Sequence, residues 1–345
     1  MANENPFTIT FGRQPNKLIM RYEDTDRIIS TFCADNAVSQ TFLIEGIRGS
    51  GKTVLMTTVA NQLIDRKEWI IINLNPTMDL LSNLALRLDD ACNSKSELLS
   101  KGFNVSAAGF GIGINADSRD NDYIGIIDRN FRKLKKKKRV LITIDEVQHD
   151  DNMRIFASQF QIFVRQDYPV FLIMTGLHDN ISKIQNDPAL TFLLRAPKII
   201  TGPLSMIQIS RQYQEIFALD EEKGRELSNM TMGYAFAFQA LGVAYWNHSA
   251  KNMDAVLDEY EDLLDDFVYK KIWTSLSTNE KRIVCAVSED EVATGEICRR
   301  LSMTNGTFSR YREKLIEKGI AETRRYGYVS LTLPRLYEIA RKYRI

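Results

Sequence analysis

The sequence predicts an α/β protein in three parts: a parallel sheet covered by helices, an all-helical segment, and a C-terminal winged helix. Three observations carry that prediction. Short apolar runs alternate with stretches of helical periodicity from about residue 24 to residue 200, the pattern of a parallel sheet buried on both faces. After Pro203 the strand signals stop and only helical spacing remains. The last 69 residues then run helix, helix, turn, helix, hairpin, which is the winged-helix order.

The elements follow in order. A leader marked by Phe7, Phe11, Gly12 and Pro15 precedes a helix over about Asp24 to Asn36. TFLIE (41–45) is a short strand, a glycine-rich turn follows it, and VLMTTVANQLIDR (54–66) has helical spacing. EWIIINLN (68–75) is a buried strand closed by Asn75-Pro76, and 78–92 reads as a helix. The stretch 101–120, with four glycines and alternating Phe103, Val105, Ile112 and Ile114, predicts an inserted β-hairpin. It is either a surface elaboration or a contact to a partner. KRVLITID (138–145), a helix over 151–167, VFLIMTG (170–176) and a last strand over Lys198 to Ile200 complete the alternation. Residues 209–247 are helical and 254–273 form one acidic amphipathic helix. The third helix of the winged part begins near Asn305 and ends at Gly319, and its hairpin turns near Tyr326-Gly327. The chain therefore divides into 1–203, 204–273 and 274–345, consistent with roughly 150 residues per domain.

Composition excludes several classes. Apolar residues are 44% and charged residues 26%, too apolar for a disordered chain, and 18 Gly with 8 Pro exclude a collagen-like one. No window reaches the ~18 apolar residues of a membrane span. The N-terminus has no basic segment followed by an apolar core, so a cytoplasmic protein without membrane contact is expected. Cys33, Cys92, Cys285 and Cys298 are far apart, which fits reduced core thiols rather than zinc or disulfides. The net charge of +1 hides an asymmetry, because residues 277–345 carry 14 Lys/Arg against 9 Asp/Glu. A basic module on a mildly acidic body makes duplex DNA a candidate partner. The run Arg132 to Arg139 holds seven cations in eight residues and reads as a solvated helix end or a nucleic-acid patch. His149, His178 and His248 are isolated in sequence, and Trp246, Phe236 and Phe238 read as core.

Gly46-Ile47-Arg48-Gly49-Ser50-Gly51-Lys52-Thr53 is a full G-x-x-x-x-G-K-T, followed by Val54, after a strand and opening a helix. Glycines at these positions let backbone N–H groups surround phosphates, Lys52 reaches the β/γ-phosphates and the Thr53 hydroxyl binds Mg²⁺. The strand Val140 to Ile144 delivers Asp145 and Glu146 at its C-terminal end, where ligands bind in open α/β sheets. Asp145 is the expected Mg²⁺ ligand and Glu146 the residue that orients or polarises water. Thr175, ending the next strand, is either a contact to the γ-phosphate or water, or a plain strand-end threonine. Arg195 is either an arginine finger toward an adjacent subunit's nucleotide or a surface ion-pairing residue.

Taken together, NPF…FG…P, GIRGSGKT, LITIDE, FLIMTG, TFLLRA and GYAFAFQALG ahead of a winged helix resemble AAA+-related P-loop ATPases. The groups resembled are the archaeal and bacterial STAND-type ATPases and the archaeal origin-recognition/Cdc6-like initiators. The resemblance implies a P-loop parallel-sheet ATPase core, ATP and Mg²⁺ as cofactors, and a homo-oligomer. It places Lys52 and Thr53 at Walker A, Asp145 and Glu146 at Walker B, Thr175 at sensor 1 and Arg195 near the arginine finger. Initiators carry a lid arginine as sensor 2, whereas Gly233-Tyr234-Ala235-Phe236 has none, a departure toward the STAND-type group. Two functions follow. One is a nucleotide-switched ATPase that binds duplex DNA through Asn305, Thr307, Ser309, Arg310 and Arg312 of the third helix and Arg324 and Arg325 of the wing. The other is a signalling or defence switch whose winged helix meets a protein partner.

Overall fold

The structure, a computed structural model, describes residues 4–10, 17–93, 122–135, 137–248, 252–288 and 290–343. The expected hairpin at 101–120, the leader residues Phe11, Gly12 and Pro15, and Lys136 of the basic run lie outside the described residues.

The core elements in chain order are α1 (Tyr22–Cys33), β1 (Thr41–Glu45), α2 (Lys52–Ile64), β2 (Trp69–Leu74), α3 (Leu80–Asn93), α4 (Tyr123–Leu134) and β3 (Arg139–Ile144). They continue as α5 (Asp151–Arg165), β4 (Val170–Gly176), α6 (His178–Gln185) and β5 (Lys198–Ile200). All five strands are parallel, in the order β2-β3-β4-β1-β5. Side-chain alternation along a strand explains how two cores form on one sheet. Phe42, Ile44, Leu141, Phe171 and Ile173 face α1 and α2 with Phe32 and Trp69. The intervening Leu43, Ile142, Leu172 and Met174 face the other side, with Phe131, Phe156 and Phe160. The basic run serves the fold. Lys135 and Lys138 donate to the Gln166 and Lys67 carbonyls, and Arg139 donates to the Phe32 and Ala34 carbonyls.

Beyond β5 come α7 (Met206–Phe217), α8 (Glu221–Thr231), α9 (Ala235–His248), α10 (Met253–Leu264) and α11 (Lys270–Ser275). The single helix expected over 254–273 is instead interrupted by a π-helical turn, Asp265–Tyr269. Such turns insert one extra residue per loop of the helix and re-aim the side chains that follow. The last part holds α12 (Thr278–Val284), β6 (Val292–Ala293), α13 (Thr294–Leu301), α14 (Asn305–Glu317), β7 (Ala321–Glu322), β8 (Tyr328–Leu331) and α15 (Leu336–Lys342). Its antiparallel strands order as β6-β8-β7, and Gly319 and Gly327 take positive φ at the two turns, so the winged-helix order stands. The two-residue β6 and the seven-residue α15 are too short to show a period in sequence.

The helical segment and the winged helix share one apolar core. A single cluster runs from Phe7 and Ile19 through Tyr213, Phe238, Tyr260 and Trp273 to Leu315, Val329 and Ile339. Polar contacts tie the same seam: Arg335 Nε meets Glu261 at 2.9 Å, Lys342 Nζ meets Glu261 at 2.8 Å, and the buried Tyr269 hydroxyl donates to the Pro334 carbonyl at 2.7 Å. Losing that donor leaves a buried acceptor unpaired. Tyr269→Phe is expected to lower stability by about 1–2 kcal/mol, seen as a lower urea midpoint. Tyr326→Phe, at the fully exposed wing tip (100% accessible), is expected to leave the midpoint unchanged.

Candidate functional site

Three neighbouring strands end at one place. The loop Gly46–Gly51 joins β1 to α2, Asp145 and Glu146 follow β3, and Thr175 ends β4, which lies between them. Alternation puts Leu141, Thr143 and Asp145 on the α2 side of the sheet, as it does Phe171, Ile173 and Thr175. The register pairs Ile144 with Met174, so Asp145 arrives beside Thr175. Thr53 in the first turn of α2 donates to Asp145 Oδ2 at 2.7 Å, and the Thr175 hydroxyl donates to Asp145 Oδ1. The Glu146 amide donates to Asp145 Oδ1 at 3.0 Å and approaches the Thr175 hydroxyl at 3.3 Å. Glu146 has φ of 53°, a left-handed conformation costing roughly 1–2 kcal/mol, and its exposed side chain lines the adjoining cavity.

Lys52 closes the loop onto itself, its Nζ donating to the Gly46 carbonyl at 3.1 Å and the Ile47 carbonyl at 2.9 Å. Burial lowers its pKa to about 8; Asp145 and Glu146 oppose that shift and Arg48 adds to it. Gly49 and Gly51 take φ of 77° and 91°, and Gly51 is the N-cap of α2. Ser50 is buried, its hydroxyl bonded to that of Thr201 at 2.5 Å. Val54 and Thr53 line the adjoining cavity.

Two contacts around this loop had no signal in the sequence. Arg21, just before α1, donates to the Ser50 carbonyl at 3.1 Å and the Gly202 carbonyl at 2.5 Å. Tyr234, just before α9, donates from its buried hydroxyl to the Arg48 carbonyl at 2.5 Å, and the Phe236 amide donates to the Gly49 carbonyl at 3.1 Å. The segment Gly233 to Phe236, noted in sequence as part of GYAFAFQALG and for its missing arginine, thus clasps the loop. The loop opens into a cavity of about 1050 Å³, walled by leader residues such as Ile9 and Met20, by Phe236, and by Phe267 and Lys271 from the π-turn region. Phe236 and Phe238 therefore both line the cavity rather than only filling core, Phe238 while buried.

The other expected residues fall as follows. Thr175 is fully buried, and its hydroxyl is committed to Asp145 rather than presented to the cavity. Arg195 is exposed at the end of the 3-10 segment Pro188–Arg195, paired with no acid among the described residues. Asn305 and Arg310 are exposed, Thr307 and Ser309 half-buried, and Thr304 caps α14 through the Thr307 amide. Arg312 is half-buried, with its Nε buried and without a hydrogen-bond partner among the described residues. Arg324 pairs with Glu322 at 2.6 Å, while Arg325 lies 4.4 Å from the Tyr328 ring. The three histidines are not isolated in space. His149 meets Asp187 at 2.7 Å, His178 meets the buried Glu45 at 3.3 Å, and His248 meets Glu259 at 2.8 Å. No group of three or more metal-ligating side chains occurs among the described residues, and no described helix is long and apolar enough to cross a membrane.

The clasp has a steric consequence. A Cβ on Gly49 would lie 2.2 Å from the Tyr234 hydroxyl oxygen, and the positive φ adds strain. Gly49→Ala is expected to cost about 1–3 kcal/mol in denaturant unfolding. Combined with Tyr234→Phe, which removes the nearest clashing atom, it should cost less than the two single changes added together.

Residues 39–184 match the family model described as AAA domain, and residues 266–338 match one described as Domain of unknown function (DUF8462). A search of the curated proteins finds no match. Among solved structures, the chain is similar to the Walker-type ATPase of Pyrococcus abyssi, at a TM-score of 0.64 and 16% identity, covering 96% of this chain and 97% of that one. It is also similar to the Aeropyrum pernix ORC2 protein in ADPNP-ADP complexes (TM-score 0.59, 14% identity, 96% of each chain). Cdc6p from Pyrobaculum aerophilum follows at a TM-score of 0.51 and 14% identity, again over 96% of each chain. Sheet order, loop and family match agree: this chain has the fold of an AAA+-related P-loop ATPase of the origin-recognition and Cdc6 kind.

Proposed function

We propose that the chain is an Mg²⁺-dependent ATPase whose nucleotide state governs a homo-oligomer and contact with duplex DNA. The observation that carries this reading is the convergence of Lys52, Thr53, Asp145 and Glu146 on one loop that opens into the 1050 Å³ cavity. The cavity is of the size that small-molecule sites take, and its loop presents backbone N–H groups at a helix N-terminus, a ready anion site. The ADPNP-ADP complexes named for the Aeropyrum pernix ORC2 protein add support for nucleotide in this fold.

Thr53 and Asp145 are a hydroxyl and a carboxylate 2.7 Å apart, a hard oxygen pair of the kind Mg²⁺ takes. Thr53 and Asp145 would hold Mg²⁺ there, and the ion would supply charge neutralisation for the phosphates. Thr175 acts as a positioning residue, fixing the Asp145 carboxylate through its hydroxyl. Lys52 leaves the Gly46 and Ile47 carbonyls to contact the β/γ-phosphates. Glu146 orients water, takes its proton as the oxygen–phosphorus bond forms, and ADP leaves with the bridging oxygen as the β–γ bond breaks. Gly46, Arg48, Gly49, Ser50, Gly51 and Val54 complete the cradle. Arg195, exposed at the end of the 3-10 segment, is the candidate to reach a neighbouring subunit's nucleotide.

The divisions at 203 and 273 remain functional units in this reading, with 204–273 as lid and linker, although the lid and winged helix pack as one body. The exposed Asn305 and Arg310 at the start of α14, with Thr307, Ser309, Arg312, Arg324 and Arg325, are the groups offered to DNA. The alternative, a protein partner, draws on two details: Arg324 is already paired with Glu322, and the Arg312 Nε is buried.

Two measurements test the proposal. Lys52→Ala should abolish ATP hydrolysis. Full activity in that variant overturns the ATPase reading. Glu146→Gln should slow hydrolysis by about 10²–10⁴-fold while Mg²⁺-ATP binding persists, and a folded variant that no longer binds ATP means that the roles of Asp145 and Glu146 are misassigned. For DNA, Arg324→Ala with Arg325→Ala should weaken duplex binding across all sequences and reduce the salt slope by about 0.9 for each phosphate no longer neutralised. No duplex binding by the intact protein at low salt, with or without ATP, would transfer the assignment to the protein-partner switch.

A further inference from the structure

Arg48 occupies an unusual position in the loop. Its carbonyl accepts from the lid hydroxyl of Tyr234 at 2.5 Å, and its guanidinium reaches Glu146 Oε1 at 3.7 Å. Both side chains of that pair are solvent-accessible and both residues line the cavity. An ion pair this long and this wet is weak and easily exchanged. Of the other cations lining the cavity, Arg21 and Lys52 are engaged with main-chain carbonyls, and Lys271 enters from α11 on the far wall. The lid segment Gly233 to Phe236, seated on the loop, carries no charged side chain. Among the described residues, the cation that belongs to the loop and also pairs with the acid proposed to handle water is therefore Arg48.

We propose that the Arg48 side chain is the γ-phosphate sensor of this site, an inference that rests on the nucleotide reading above. With the site empty or holding a diphosphate, Arg48 stays on Glu146. A triphosphate brings a γ-phosphate with more negative charge and three acceptor oxygens, and Arg48 exchanges Glu146 for it. Glu146 is then free to accept a proton from water. Tyr234 keeps the Arg48 backbone in place through both states, so only the side chain moves. The lid needs no arginine of its own because the cation it would bring already sits in the loop beneath it.

The test is equilibrium binding of Mg²⁺-ADP and of a Mg²⁺-bound non-hydrolysable ATP analogue to the wild-type chain, Arg48→Ala and Arg48→Lys. Arg48→Ala is expected to weaken the analogue by about tenfold or more, the worth of one charge-assisted hydrogen bond, while ADP changes by less than about twofold. Arg48→Lys should recover part of the difference by restoring charge without the planar fork. Equal weakening for both nucleotides would mean that Arg48 only shapes the loop, and no weakening for either would mean that it meets no phosphate; both overturn the proposal alone. A wild-type chain that binds neither nucleotide overturns the nucleotide reading and this one with it.

Discussion

The Asp145 carboxylate is the contact on which the rest of the site depends. It accepts from Thr53 at the start of α2, from Thr175 at the end of β4 and from the Glu146 amide behind it. Those donors come from three separate elements, so one side chain sets the distance between the loop after β1 and the strand end after β3. The arrangement needs the sheet order: β4 must lie between β1 and β3 for Thr175 to reach across. It also needs the strand alternation, because a shift of one residue would turn Asp145 to the opposite face, among Phe156 and Phe160. Packing on both faces of the sheet therefore fixes polar geometry at its end.

A second constraint acts on the loop from above. Main-chain groups of Arg48 and Gly49 bond to Tyr234 and Phe236, while Arg21 holds Ser50 from the leader side. Gly49 is required here twice, for its positive φ and for the close approach of the Tyr234 ring. The leader itself is pinned to the lid. Phe7 packs against Gly242, where a Cβ would come within 2.3 Å of its ring, and Gln239 bonds to the Thr8 amide and the Lys17 carbonyl. The cavity is thus enclosed by pieces of chain that are remote in sequence.

That remoteness explains what the sequence could and could not reveal. β1 and β4 fall where their apolar runs lie, because a parallel strand buried on both faces is a continuous run with sharp ends. The loop Gly46–Thr53 and the Asp145-Glu146 pair are local patterns with fixed mechanics, so their place at the strand ends follows from neighbouring residues alone. Arg21, Tyr234 and Thr201 are different. Each meets the loop through contacts spanning from 29 to 186 positions, and none belongs to a local pattern. Thr175 was legible as a strand end, but its partner depended on the strand order. The π-turn interrupts a helix whose acidic amphipathic sequence is continuous, so no local pattern marks the break.

That π-turn joins the two halves of the molecule. On one side Asp266, Phe267 and Val268 face the cavity, with the Phe267 ring tilted against Phe236 at 6.1 Å between centroids. On the other side Asp265 accepts from Tyr343 and Tyr269 donates to Pro334, both contacts holding α15 and its approach. The five residues that divide these duties are consecutive. At the same time Ile47, in the phosphate-type loop, lies against the end of α14, within 3.7 Å of where a Cβ on Gly319 would stand. The winged helix therefore touches the candidate nucleotide site at both ends, through the loop itself and through the π-turn. Because lid and winged helix share one apolar core, a movement at either contact has to be carried by that whole unit rather than by a single side chain.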